Sequence, residues 1–211
     1  PKDRGPKWSP DGKRIVYYSD RNGRYEIWSI DAQGSNLQQI TKTTGDTVNY
    51  PLWSPNGGRL LASNPKNTYV FNVGSALPTG VAETLPSIEA GLSFAAWSWS
   101  PDGNWLAGFA WRDEEPTRGT WIYSLEEKKY SKLSDVGAPF EGGSAWMPDS
   151  RTLLISERGR LVAVDRVTGQ LKEVFRPAGY GARNASVTAD GKAIFFNARR
   201  VEADIWMATI D

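Results

Sequence analysis

The chain has 211 residues, with 25 Lys and Arg against 24 Asp and Glu, 21 Gly, 13 Pro, 10 Trp, and neither His nor Cys. Without imidazole or thiol there is no Ser-His-Asp triad, no thiolate nucleophile and no ordinary zinc or iron site, so only carboxylate, lysine and tyrosine chemistry remains open. A formal charge of +1 argues against a polyanion-seeking surface, and nucleic acid is not an expected partner.

The longest strongly apolar run, Trp105 to Trp111, is far shorter than the roughly 18 to 20 residues that span a bilayer, so this segment is not expected to insert directly into a membrane. It opens Pro1-Lys2-Asp3-Arg4-Gly5, with neither an initiating Met nor an apolar signal core, and reads as a piece cut from a longer chain. Absence of Cys fits a reducing compartment and an oxidising one alike.

Along the chain one pentapeptide returns. Trp8-Ser9-Pro10-Asp11-Gly12 recurs as Trp53-Ser54-Pro55-Asn56-Gly57, Trp99-Ser100-Pro101-Asp102-Gly103, Trp146-Met147-Pro148-Asp149-Ser150 and, weakened, Val187-Thr188-Ala189-Asp190-Gly191. The steps are 45, 46, 47 and 41 residues. Each copy precedes a short apolar run, as in Arg14 to Tyr18, Arg59 to Ala62, Trp105 to Phe109, Leu153 to Ile155 and Ala193 to Phe196. A second run follows about ten residues later: Tyr25 to Asp31, Tyr69 to Val73, Trp121 to Leu125, Leu161 to Asp165 and Asp204 to Met207. Four units add a more polar third segment: Leu37 to Thr41, Ala82 to Leu85, Tyr130 to Leu133 and Leu171 to Phe175. With the strand that ends in the Trp, this predicts four antiparallel strands per unit, the pattern of a propeller blade.

The fold class is therefore all-β, a β-propeller with about five blades over 6–42, 50–86, 95–134, 144–176 and 185–211. Thr120 to Val136 is the best helix candidate, but alignment puts Glu126 to Lys129 on a hairpin turn. The recurring Trp residues at 8, 53, 99 and 146 are expected to be buried at equivalent places between blades. In Ser-Pro-Asp-Gly, Pro presets φ near −65°, Ser accepts a local hydrogen bond and Gly takes the left-handed conformation, which makes a type I turn. Ser150 stands where that Gly belongs; if its φ is positive, Ser150→Gly is expected to stabilise by roughly 0.5 to 1 kcal/mol.

These residues resemble the TolB-type (WD-like) β-propeller repeat, over essentially the whole chain. The resemblance implies a secure fold and a variable function, because such repeats occur in periplasmic protein-binding proteins, beside peptidase domains and as sensor modules. It also implies an extracytoplasmic, periplasmic location. The fifth unit lacks Trp and Pro and stops before a fourth strand. The expected architecture is thus part of a ring of six to eight blades with the missing ones upstream, a closed five-bladed ring being the rival.

The turn residues Asp11, Asp102, Asp149, Asp190 and Asn56 read as caps of backbone N–H groups rather than as metal ligands or catalysts. Asp113-Glu114-Glu115 lacks the spacing of a calcium loop and reads as a solvated loop. No metal, catalytic residue or cofactor is assigned. The remaining loops fall on the face opposite the Ser-Pro-Asp-Gly turns and gather Asn49, Tyr50, Trp111, Arg112, Phe140, Tyr180 and Arg183, with Asn184 beside them. Mixed aromatic and arginine character is what interface centres favour. The expected function is a non-catalytic propeller binding a protein or peptide on that face, as scaffold or sensor of a larger chain. The alternative is a propeller accompanying a prolyl-oligopeptidase-like hydrolase or acting on glycans.

Overall fold

The computed structural model describes residues 1–43, 47–73, 83–113, 115–137 and 143–199. Among them the regular structure is strand, and every pairing is antiparallel. Blade one is β1 (Asp3–Trp8), β2 (Arg14–Ser19), β3 (Glu26–Asp31) and β4 (Gln38–Gln39), and blade two is β5 (Asn49–Trp53), β6 (Arg59–Ser63), β7 (Thr68–Asn72) and β8 (Glu83–Thr84). Blade three is β9 (Leu92–Trp99), β10 (Trp105–Arg112), β12 (Thr120–Ser124) and β13 (Lys129–Ser134), with a short extra strand β11 (Glu115–Pro116) on the far end of β10. Blade four is β14 (Ser144–Trp146), β15 (Thr152–Glu157), β16 (Arg160–Asp165) and β17 (Leu171–Phe175). The fifth is described as one hairpin, β18 (Gly181–Val187) and β19 (Ile194–Arg199); Asp204 to Met207, its predicted next strand, lies outside the described residues. Thr120 to Val136 is a β-hairpin as expected, with Glu126 to Lys128 in its turn, while Lys129, expected there too, pairs with Ser124 as the first residue of β13.

The apolar runs are continuous rather than alternating because each blade is covered on both faces. Val16, Tyr18 and Ile27 of blade one pack with Trp53, Leu60, Ala62 and Phe71 of blade two. The next residues along, Leu61 and Val70, turn the other way and pack with Leu106 and Tyr123 of blade three. Ala107 and Ile122 then meet Trp146, Leu153, Ile155 and Val164 of blade four. A fully buried aliphatic side chain contributes about 1.5–3 kcal/mol, so these inter-blade layers carry much of the stability. Polar groups cross the same seams: Thr68 donates to the Phe94 carbonyl (2.6 Å), and the Ser98 and Ser144 hydroxyls pair at 2.9 Å.

The repeat Trp therefore packs against the blade before its own. Trp53 and Trp146 are buried at 8% and 6% exposure, and Trp99 is half-buried with its indole N–H donating to the Gly103 carbonyl. Trp8 corrects the expectation of equivalent burial. It is 59% exposed, because among the described residues no blade lies on that side of the first one. At the opposite edge Phe195, in the repeat position of Val16, is 64% exposed. The outer face of blade one is covered instead by Arg21, whose guanidinium stacks over Trp28 (4.7 Å) and Tyr17 (5.5 Å) and pairs with Asp3 (3.0 Å).

Each Trp is followed by the same turn. In blade one the Gly12 N–H donates to the Ser9 carbonyl (2.9 Å), the Ser9 hydroxyl donates to Asp11 (2.6 Å) and accepts from the Arg14 N–H, and Asp11 also accepts from the Lys13 N–H. Ser54 with Asn56, Ser100 with Asp102, and Thr188 with Asp190 repeat the set. In blade four Asp149 accepts from the Arg151 and Thr152 N–H groups. The turn carboxylates are structural caps, as the sequence implied. Ser150 takes φ 52°, and its hydroxyl accepts the Asp102 N–H at 3.0 Å, tying the turn of blade four to that of blade three.

Candidate functional site at the axis of the blades

The innermost strands β1, β5, β9, β14 and β18 surround a cavity of about 630 Å³. Gly5, Pro6 and Lys7 contribute from β1, Tyr50 and Pro51 from β5, Ala96 and Trp97 from β9, Gly143 and Ser144 at β14, and Asn184, Ala185 and Ser186 from β18. Tyr18 and Asn197 complete the wall. Because the Ser-Pro-Asp-Gly turns follow the C-terminal ends of these strands, their entry ends lie on the face of the longer loops.

A recurring bulge shapes this wall. The pairing slips between Arg4 and Lys7, between Asn49 and Leu52, and between Arg183 and Ser186. The residue three before the repeat Trp (or Val187) takes positive φ in four blades: Gly5 (59°), Tyr50 (53°), Gly143 (68°) and Asn184 (50°). Asn tolerates that conformation, whereas Tyr is held in it at a cost of about 1–2 kcal/mol. In blade three the slip falls one residue later, at Trp97, opposite Gly108. A Cβ at Gly108 would lie 2.0 Å from the Ala95 carbonyl oxygen, so this bulge requires glycine there. Bulges and strained residues of this kind re-aim side chains at functional sites.

The bulges direct an aromatic column into the wall. Tyr50 stacks on Trp97 (5.1 Å between ring centres), Tyr18 meets Tyr50 edge-on (5.4 Å), and Phe109 meets Trp97 edge-on (5.4 Å). Burial pushes the phenol pKa values of Tyr18 and Tyr50 up, opposed by the charge of the nearby Arg4. Neither phenol is therefore a base near neutrality. Lys7 is exposed to the channel, and the protein crowded around its wall lowers its ammonium pKa by desolvation. Among the described residues no Asp or Glu lines the channel, and no group of three or more potential metal ligands occurs.

Of the residues singled out in the sequence, Tyr50 and Asn184 line this channel, with Asn49 and Arg183 directly before them on the same strands. The Asn49 side-chain oxygen is buried without a hydrogen-bond partner among the described residues. Trp111 was expected at the mouth of a loop; it is 7% exposed and lies within β10, paired with Ser93 of β9 on one side and Pro116 of β11 on the other, because the short β11 prolongs the blade to that point. Arg112 is exposed and paired with Glu89 at 2.9 Å. Tyr180 is 40% exposed before β18, and Phe140 lies outside the described residues. Sequence reasoning missed Lys7, Trp97 and Asn197. A signal for the first two existed: Gly5, Gly143 and Asn184, all tolerant of positive φ, stand at one fixed offset before the repeat position, and Pro6 and Pro51 follow that offset in two blades.

No protein-family model matches the chain. An uncharacterized protein of Agrobacterium fabrum is 31% identical over 113 residues, covering 49% of this chain and 38% of the relative. An uncharacterized peptidase of Bacillus subtilis is 26% identical over 156 residues, covering 72% of this chain and 21% of the relative. The chain thus spans less than half the length of either. Among solved structures, TolB from Acinetobacter baumannii superposes with a TM-score of 0.71 and 19% identity, over 92% of this chain and 49% of that one. A TolB relative from Agrobacterium tumefaciens gives 0.72 and 17%, over 96% and 72%. The fold is that of a TolB-like β-propeller. The same propeller fold carries other functions, since an oligogalacturonate lyase in complex with manganese also superposes, with a TM-score of 0.66 and 15% identity over 93% of this chain and 58% of that one.

Proposed function

We propose that this propeller is a non-catalytic binding module that receives a protein or peptide at the loop-rich mouth of its central channel, as the scaffold or sensing part of a longer extracytoplasmic chain. The observation that carries the reading is the channel wall itself. Tyr50 and Asn184 in left-handed backbone, an aromatic column and side-chain amides converge where all five inner strands meet. This is an adhesive lining with few groups able to move a proton near pH 7, and its volume falls within the roughly 300–1,000 Å³ of ligand clefts. The likeness to TolB supports the location and the binding role, and no helix among the described residues is long and apolar enough to cross a membrane. The test compares partner capture by Tyr50→Ala and Asn184→Ala with Lys13→Ala and Arg59→Ala beside the short turns. Channel variants are expected to lose capture and turn variants to keep it; the reverse result places binding on the other face.

A second reading has one observation behind it, the match to a peptidase across 72% of this chain. In that case the propeller accompanies a hydrolase domain elsewhere in the parent chain and its channel filters substrate. Peptide hydrolysis by the full-length parent, abolished by changing a serine outside residues 1–211, would establish it.

A further inference from the structure

We infer that the channel reads a carboxylate carried by an extended peptide, with the ammonium of Lys7 as its counter-charge. The inference rests on the binding reading of this channel and adds the group that is recognised. Arg14, Arg21, Arg112, Arg151 and Arg160 each sit against a carboxylate, whereas Lys7 has no ion-pair or hydrogen-bond partner among the described residues, and none of those lining the channel is acidic. An ammonium on a concave wall with no carboxylate of its own keeps its charge for an arriving carboxylate, with which it can form a charge-assisted hydrogen bond. The charged side chain on the channel wall is that of Lys7, and the charge of Arg4 lies close enough to Tyr18 to oppose the rise of its phenol pKa.

Two further features favour a peptide carrier. Asn184 and Asn197 place side-chain amides on the wall with no hydrogen-bond partner among the described residues, and an amide of this kind can both donate to and accept from a peptide backbone. Tyr50 and Trp97 are engaged by each other and by Tyr18 and Phe109, so their rings form a wall rather than an open platform for a sugar. The carboxylate belongs to the peptide C-terminus or to an Asp or Glu side chain.

Random-sequence heptapeptides on a surface, each in three forms, separate these sources: a free C-terminal carboxylate, a C-terminal amide, and the amide with one internal Glu. Chain 1–211 is expected to be retained by the free-acid form, the Glu form or both at least about tenfold more than by the plain amide. Lys7→Met should remove that preference and Lys7→Arg should keep most of it, with thermal unfolding unchanged in both. Equal retention on all three forms, unaffected by Lys7→Met, would overturn the carboxylate inference while leaving the binding reading intact. No retention on any form overturns both, as does retention on an oligogalacturonate surface instead.

Discussion

Two rings of left-handed backbone run around this molecule, and they serve different ends. In the outer one, at the Ser-Pro-Asp-Gly turns, φ is positive at Gly12, Gly57, Gly103, Ser150 and Gly191, and the neighbouring side chains spend their hydrogen bonds within the turn or on the next turn. In the inner one, at the strand bulges, the same backbone demand is met by Gly5, Tyr50, Gly143 and Asn184. Here the residues differ from blade to blade, and polar side chains such as Asn184 and Lys7 face the channel without partners among the described residues. Uniformity with satisfied polar groups marks architecture; variation with unspent polar groups marks a surface kept for something else.

The largest expected effect comes from the glycine that permits the Trp97 bulge. Gly108→Ala should destabilise by about 3 kcal/mol or more, because the added carbon meets backbone rather than a movable side chain. Thermal or denaturant unfolding checks it, and a loss under about 1 kcal/mol would mean that β9 can shed the bulge. Next, Trp97→Ala should cost binding more than fold. Its wall is half-open and its indole N–H is unpaired, so capture should fall at least about tenfold while unfolding shifts less than that of the buried Trp53→Ala, expected at about 3–5 kcal/mol.

The outer turns, together with the outer strands of blade four, make a pH prediction. The Ser9 hydroxyl holds Asp11 below its ordinary pKa, the Thr188 hydroxyl does the same for Asp190, and on blade four the Thr168 N–H leads in lowering Asp165 to about 2 while Arg176 and then Arg160 lower Glu173 to about 2. The unfolded chain takes up protons at these groups before the folded one does, so stability is full above about pH 5 and falls as pH drops from about 4 toward 2. Melting temperature against pH reads this directly, and Asp165→Asn should flatten part of the slope. A stability rising across that window would contradict the assignment.

The smallest effect is the most discriminating. From the turn alone, Ser150→Gly relieves strain, but the structure shows that Ser150 also accepts the Asp102 N–H from the neighbouring blade. Strain relief of about 0.5–1 kcal/mol and a lost hydrogen bond of about 0.5–1.5 kcal/mol offset each other, so a net change within about 0.5 kcal/mol is expected in place of stabilisation. Ser150→Ala, which keeps the strain and loses the bond, should be the less stable of the two.

Local chemistry decided what was legible in the sequence. A Trp-led turn returning at a near-constant step determines strand, turn and strand within each unit, because the groups that close the turn lie within five residues of one another. Burial on both faces of each blade also shows as unbroken apolar runs. What those runs face is not local: Trp8 and Trp53 occupy the same repeat position, yet one is exposed and the other buried, since burial depends on the blade that stands beside it. The channel was decided in the same way. Lys7, Tyr50, Trp97 and Asn184 come from four different units and meet only when the inner strands gather around a common axis, and Trp111 lies within a strand paired on both sides rather than at a loop mouth because the two-residue β11 folds back on β10. Sequence period fixes a blade; the contacts between blades choose which of its side chains meet water, a neighbour or a ligand.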